Sequence, residues 1–354
     1  MDKQKVTVAL LSVLALVAVC AVLKMAQSVV LPLIIAWLLS YILGPVVTAM
    51  TRRRIPTGLA VTVVLLLLLG ICYLSGLFLH SRIMAFYAAY PQYQDSVMAL
   101  FKTFTSRWNL PYDPLEGINW GPWLGEYLKS IAGSLLSFTS KLIMVIIYLI
   151  FLLLGKPYFQ YKLEKAFEKE RSTHLSSIIG SISTEIGRYL FLQLLISLLT
   201  GVCVWIALTA VGVDFAITWG ALAFFLNFIP TVGSLIASIP PILIALVQPD
   251  VTTIWPAIIT MVLLLCIQMV IGNGITPKVM GDRLNLSPVV VLISLVFWGW
   301  LWGVVGALLS IPIASTIKIV CENIEPLKPI STLMGSGKRF RKEALSHQRD
   351  VGIA

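Results

Sequence analysis

The sequence predicts an all-α polytopic membrane protein with about six to eight membrane segments, two of them re-entrant hairpins in an inverted repeat. Three observations carry this. Of the 354 residues, 58% are hydrophobic and only 12% charged, where a soluble domain is roughly half apolar and about a quarter charged. Several apolar runs reach the roughly 18–20 residues needed to cross hydrocarbon. Two later apolar stretches are interrupted near their middles by the same pattern of glycine, small residues and proline.

Residues 6–23 form the first span. The run exceeds the apolar part of a signal peptide, no A-x-A site follows it, and a second apolar stretch comes at once. The second span covers 26–50, with Pro32 near its start and Gly44-Pro45 near its end; "TRRRIPTG" turns the chain into a third span at 59–79. Residues 80–130 hold four basic and four acidic residues, with "YPQYQ" and "NLPYDPLEGINWGPW", and read as a soluble excursion with one or two short helices. A fourth span runs over 132–154, with Lys141 in its outer half. Over 156–188 the chain is polar and charged, with Leu175, Ile179, Ile182, Ile186 and Leu190 at helical spacing. That pattern predicts an amphipathic helix leading into a fifth span at 189–211.

Lysine and arginine set the orientation. "RRR" (52–54), the stretch 156–171 and "GKRFRK" (337–342) each flank an apolar segment. A cytoplasmic N-terminus places all three inside, and the charge-balanced 80–130 outside. The net charge of +10 therefore reads as membrane topology, with no nucleic-acid partner. The lipid bilayer is the partner it implies.

The remaining apolar stretches are 215–247, 251–275 and 288–318. The first and third are too long for one straight span and too short for two. "VGSLIASIP" (232–240) and "VGALLSIP" (305–312) are twins, with Gly306 73 positions after Gly233. Gln193 precedes Gly233 by 40 positions and Gln268 precedes Gly306 by 38. Each unit is thus a glutamine-bearing span followed by an interrupted segment. As re-entrant hairpins, the first opens outward and the second inward. "QPD" (248–250) then lies outside, and "PKVMGDR" (277–283), with Lys278 and Arg283, lies inside. Straight spans would put that lysine and arginine outside, against the charge rule. Broken backbone at membrane depth is tolerated only where it is buried in protein or lines a cavity. The hairpin and hinge positions are Pro230, Gly233, Pro240, Pro277, Gly281, Gly303, Gly306 and Pro312.

The domain plan follows. Three N-terminal spans occupy 1–79, an extracytoplasmic helical excursion 80–131, and a span with a cytoplasmic amphipathic helix 132–188. A transport core of two span-plus-hairpin repeats occupies 189–320, and a basic cytoplasmic tail 321–354.

No acidic residue falls near the middle of a span; Asp214 and Asp250 sit at span ends and Glu185 at a span start. Proton- or sodium-coupled antiport usually needs an intramembrane carboxylate. The interior polarity is neutral: Gln193, Asn227, Thr231, Ser234, Gln268 and Asn273. Such groups suit an uncharged, hydroxyl-rich solute, although each singly also fits an ordinary interhelical hydrogen bond. Trp298, Trp300 and Trp302 alternate in "WGWLW" and cannot share one helix face; they read as an interface belt, a gate or a subunit contact. Cys20, Cys72, Cys203, Cys266 and Cys321 make no CxxC pair, and His80, His174 and His347 make no ligand motif. Neither metal, cofactor nor catalytic triad is expected, and the chain is not read as an enzyme. No GxxxxGK[ST] loop is present, which argues against ATP-driven transport by this chain alone.

"WGALAFFLNFIPTVGSLIASIPP" and "GNGITPKVMGDRLNLSPVVVLISLVFWGWLWGVVGALLSIPIA" resemble the hallmark segments of the autoinducer-2 exporter family of bacterial inner-membrane proteins. "GRYLFLQLLISLLTGV" (187–202) and "LPLIIAWLLSYILGPVV" (31–47) fit as well. The resemblance covers most of the chain and is closest to members that export the quorum signal. It implies a multi-pass inner (plasma) membrane protein, export of autoinducer-2 or a similar small polar solute, and homo-oligomers. Some relatives are sodium/proton antiporters, so that activity stands as an alternative, as does a non-transporting membrane scaffold. One departure matters. Many relatives carry a glutamate between "GN" and the proline, where this chain has "GNGITP", with Thr276 before Pro277. A charge-dependent role at that position is therefore not implied.

Overall fold

The computed structural model describes residues 3–107, 120–229, 232–248, 253–280 and 285–337. Those residues form helices α1 (Lys3–Met25), α2 (Gln27–Arg52), α3 (Thr57–Arg107), α4 (Trp120–Ala166), α5 (Lys169–Val211), α6 (Ala216–Leu226), α7 (Val232–Val247) and α8 (Trp255–Gln268). A π-helical turn (Met269–Ile275) leads into α9 (Thr276–Met280), followed by α10 (Pro288–Glu322) and α11 (Lys328–Met334). Among the described residues there is no β-strand, only an isolated bridge between Leu286 and Gly335. Among the described residues six helices are long and apolar enough to cross a membrane. This is an all-α, multi-pass membrane protein.

The excursion over 80–107 differs from the expected short helices. It is the continuation of α3, one helix from Thr57 to Arg107 that runs through Pro91. Its 51 residues give a rod of about 76 Å, more than twice the hydrocarbon thickness of about 30 Å. Residues 169–188 of the amphipathic stretch and the fifth span form the single helix α5, as the spacing predicts, whereas 156–166 end α4. Residues 108–119, which complete much of the excursion, lie outside the described residues.

By internal contacts the chain divides into two compact units, 1–64 with 138–191 and 282–354, and 65–137 with 192–281.

In the first unit, α10 is the second interrupted segment. Its dihedrals leave the helical region only at Trp302 (φ −127°, ψ 16°) and Gly303 (φ 65°, ψ −147°). There the chain reverses. Ser294 Oγ donates to the carbonyl of Ser310 at 2.9 Å, although in a straight helix residues sixteen apart would stand about 24 Å from each other. A Cβ on Gly299 would meet Ala307 Cβ at 3.8 Å, again across the reversal. The left-handed φ at Gly303 is one that a side chain disfavours. Leu301, Trp302 and Ile313 form the buried centre, packed by Leu23, Val30, Leu31, Ile34 and Phe297. Trp302 and Trp298 stack at 4.9 Å, and Trp302 Nε1 donates to the Leu23 carbonyl at 3.3 Å. Trp300, on the opposite face, is exposed and lies 4.4 Å from Lys24 Nζ. The alternating tryptophans thus divide between the hairpin turn and the outer surface.

In the second unit, α6 and α7 pack as the first hairpin around Val204, Leu208, Ala223, Ala237, Ile244 and Leu264. The arms have 11 and 16 residues, about 17 and 24 Å long, and neither alone spans about 30 Å of hydrocarbon. Gly201 of α5 and Gly220 of α6 face each other so closely that a Cβ on either would lie within 3 Å of the other's carbonyl oxygen. That close crossing seats the hairpin on α5, as small residues do in membrane helix pairs.

Candidate functional site

The tip of the first hairpin meets α5. Gln193, Ser197 and Thr200 lie at i, i+4 and i+7 of α5 and so share one helix face; all three are buried. Gln193 Nε2 donates to the backbone carbonyl of Asn227 at 2.7 Å. Asn227 Nδ2 donates in turn to Ser197 Oγ at 3.1 Å. Asn227 follows the last turn of α6, so its carbonyl is one of the groups a helix end leaves without an intrahelical partner. The glutamine fills that vacancy and ties the break in the hairpin to α5.

Next to this knot is a small cavity. Thr200, Ser234, Ser238 and Gln268 supply its polar atoms, and Val204, Ala223, Ala237, Leu264 and Ile267 its apolar wall. No charged side chain lines it. Its volume is about 20 Å³, room for roughly one water. Thr200 and Ser238 each turn their hydroxyl back onto their own helix, to Ile196 O and Ser234 O, both at 2.8 Å. Thr260 lies two turns before Gln268 along the same face of α8. Its hydroxyl is fully buried, with no hydrogen-bond partner among the described residues.

Four of the six candidate pathway residues come together here: Gln193 and Asn227 in the knot, Ser234 and Gln268 on the cavity. Asn273 does not join them. It sits exposed in the π-helical turn, its amide 3.4 Å from Met269 Sδ. Thr231, Pro230 and Gly281 lie outside the described residues. Ser197, Thr200 and Ser238 are the additional polar residues. The signal for the first two was present, since the pattern Q-x-x-x-S-x-x-T over 193–200 is a helical stripe.

The two twin glycines have matching environments. A Cβ on Gly233 would fall onto the Leu226 carbonyl oxygen, and one on Gly306 onto that of Trp298. Each sits where the returning arm touches the outgoing one. The prolines behave otherwise. Pro240 and Pro241 lie inside α7 and Pro312 inside the second arm of α10. Pro277 is the second residue of α9, which continues directly from the π-helical turn.

A family profile described as AI-2E family transporter matches residues 11–325. A putative transport protein of Borreliella burgdorferi (strain ATCC 35210 / DSM 4680 / CIP 102532 / B31) is 34% identical over 89% of this chain and 87% of its own length. One from Haemophilus influenzae (strain ATCC 51907 / DSM 11121 / KW20 / Rd) is 34% identical over 94% and 97%. The AI-2 transport protein TqsA of Escherichia coli (strain K12) is 32% identical over 90% of this chain and 93% of its own. With a profile match across nearly its whole length and relatives that carry transport names, the chain belongs to the AI-2E family of transporters.

Proposed function

We propose that the protein exports a small, uncharged, hydroxyl-rich solute such as autoinducer-2 across the bacterial inner membrane. The observation that carries this is the cavity between α5, α7 and α8, walled by hydroxyls and a carboxamide and lacking any charged side chain. Neutral donors and acceptors match a polyhydroxylated solute and provide no group that titrates to carry a proton near neutral pH. The cavity takes about one water, so this conformation is the closed one, and solute passes when the hairpin moves off α5. The Thr260 hydroxyl supports a path along α8, because an unsatisfied buried hydroxyl costs about 1–3 kcal/mol that a solute or water would recover. In this reading both hairpins are re-entrant, the two glutamine-and-hairpin units are inverted repeats, both termini are cytoplasmic, and the protein works as a homo-oligomer in the lipid bilayer.

The test is efflux of labelled autoinducer-2 from proteoliposomes, with and without an imposed proton gradient. Flux should stay nearly flat between about pH 6 and 8, because no proposed path residue has an ordinary pKa there. Replacing Gln268 by leucine should weaken half-saturation by roughly 1–2 kcal/mol, about tenfold. Steep uphill accumulation driven by the proton gradient would instead favour sodium/proton antiport, and absence of any flux would favour a scaffold.

Topology is tested separately. In a cysteine-free variant, Gln248→Cys should react with an impermeant maleimide from outside and Lys278→Cys only from the cytoplasm. The reverse pattern would mean that the interrupted segments cross the membrane fully.

A further inference from the structure

The base of the first hairpin is held by a residue from the far half of α3. Phe86, Ala89 and Tyr93 recur at i, i+3 and i+7, and so form one helical stripe. They pack on the chain that enters α6. Phe86 and Tyr93 set their rings 5.6 and 6.1 Å from that of Phe215. Phe215 has φ 57°, a left-handed conformation that costs a residue with a side chain about 1–2 kcal/mol. The aromatic packing holds it there.

Asp214, the neighbour of Phe215, is the centre of the arrangement. Its carboxylate accepts a hydrogen bond from the Tyr93 hydroxyl. Its carbonyl accepts from Trp219 Nε1 at 2.9 Å, and its N–H donates to Gln248 Oε1 at 3.4 Å. Gln248 Nε2 closes the ring by donating to the Gly212 carbonyl at 3.1 Å. The two ends of the hairpin, before α6 and after α7, are thereby joined to each other and to α3. Among the described residues no ion pair involves Asp214.

We propose that Tyr93 is a positioning residue for transport: through Asp214 it fixes the base from which α6 and α7 carry the Asn227 tip onto α5. This gives the helical excursion a role inside the transport unit, and it rests on the reading of the hairpin as the moving part. Tyr93 touches no solute, so the rate of the hairpin step changes and solute affinity does not.

The experiment uses the full chain in proteoliposomes, with labelled autoinducer-2 and initial rates across solute concentration. Tyr93→Phe removes only the hydroxyl. It should change maximal flux at least about fivefold and half-saturation less than about twofold, as expected when a conformational step sets the rate. Asp214→Ala should match it, and the double variant should be no worse than either single one, because both remove the same bond. Asp214→Asn keeps an oxygen that accepts the phenol hydrogen and should restore most of the rate. Hydrogen exchange gives a readout independent of transport: Tyr93→Phe should raise exchange in peptides covering 212–219, and Asp214→Asn should not. Wild-type exchange in Tyr93→Phe, or additive effects in the double variant, would overturn the proposal even if transport is confirmed. Faster exchange in a protein that moves no autoinducer-2 would keep the clamp and sink the exporter reading.

Discussion

Replacing Gly233 or Gly306 by alanine should cut solute flux by at least about tenfold, a larger loss than any other single methyl group should cause here. Both glycines lie where the two arms of a hairpin touch. The added Cβ would land on a backbone carbonyl oxygen, Leu226 in one case and Trp298 in the other. Neither oxygen can swing aside as a flexible side chain would. The second contact is no softer, with Ile229 Cβ at 3.1 Å from the position on Gly233 and Trp302 Cβ at 3.0 Å from that on Gly306. The arms must separate, and overpacking of this kind costs about 1–3 kcal/mol. At Gly233 the separation also strains the bond from its N–H to the Ile229 carbonyl, 3.1 Å long. Gly70 is the control, since a Cβ there meets nothing within 4 Å, and Gly70→Ala should transport normally. The variants should still insert, because the apolar spans are unchanged. Flux and the thermal midpoint in detergent check this together, and normal efflux from both tip variants would make these glycines ordinary helix residues.

The same geometry shows what the sequence could and could not say. The two helix interruptions were legible because broken helices leave a compositional mark and the mark occurs twice. Of the named hinge positions, Gly303 does make a break, but the prolines inside the arms do not. The prolines are the strongest breakers by propensity, yet Pro240, Pro241 and Pro312 lie within helical arms, while the reversal in α10 falls at Trp302-Gly303. Membrane helices absorb a proline when neighbours satisfy the freed carbonyl, so the reversal goes where backbones must approach and a left-handed φ is needed. "YPQYQ" misleads for the same reason. It sits in the stretch read as a soluble excursion with short helices, but Pro91 is carried inside the single long helix α3 while Tyr93, two residues on, packs into the second unit's core. Tertiary packing outweighs local propensity there, and the contact partners at 213–219 are more than a hundred positions away in sequence. At the site, the carboxamides were legible because an amide is rare in an apolar span. The hydroxyls of Ser197, Thr200 and Ser238 were not singled out, because serine and threonine enter such spans at little cost by bonding to their own helix. Thr200 and Ser238 do so.

Gln193→Leu should lower flux by about tenfold, and Gln193→Glu should make the residual flux depend on pH. The glutamine is buried, and its Nε2 is the donor to the Asn227 carbonyl. Leucine leaves that part-buried carbonyl without this partner, at a cost of about 1–3 kcal/mol, and roughly 1.4 kcal/mol is a factor of ten. The loosened tip also weakens the Asn227 bond to Ser197, so the closed geometry is lost at two points. Glutamate keeps the shape and changes the chemistry. Ionised, it turns an oxygen toward the Asn227 oxygen and repels it; protonated, it can donate as the amide did. Burial and the facing carbonyl both disfavour the charged form. Flux through Gln193→Glu should therefore be greatest at acid pH and fall toward the leucine level as the carboxyl ionises, while wild-type flux stays flat. Initial efflux rates of both variants and the wild type, from about pH 5 to 8, decide the matter. A flat profile for the glutamate variant at wild-type rates would show that the bond to the hairpin tip does not control transport.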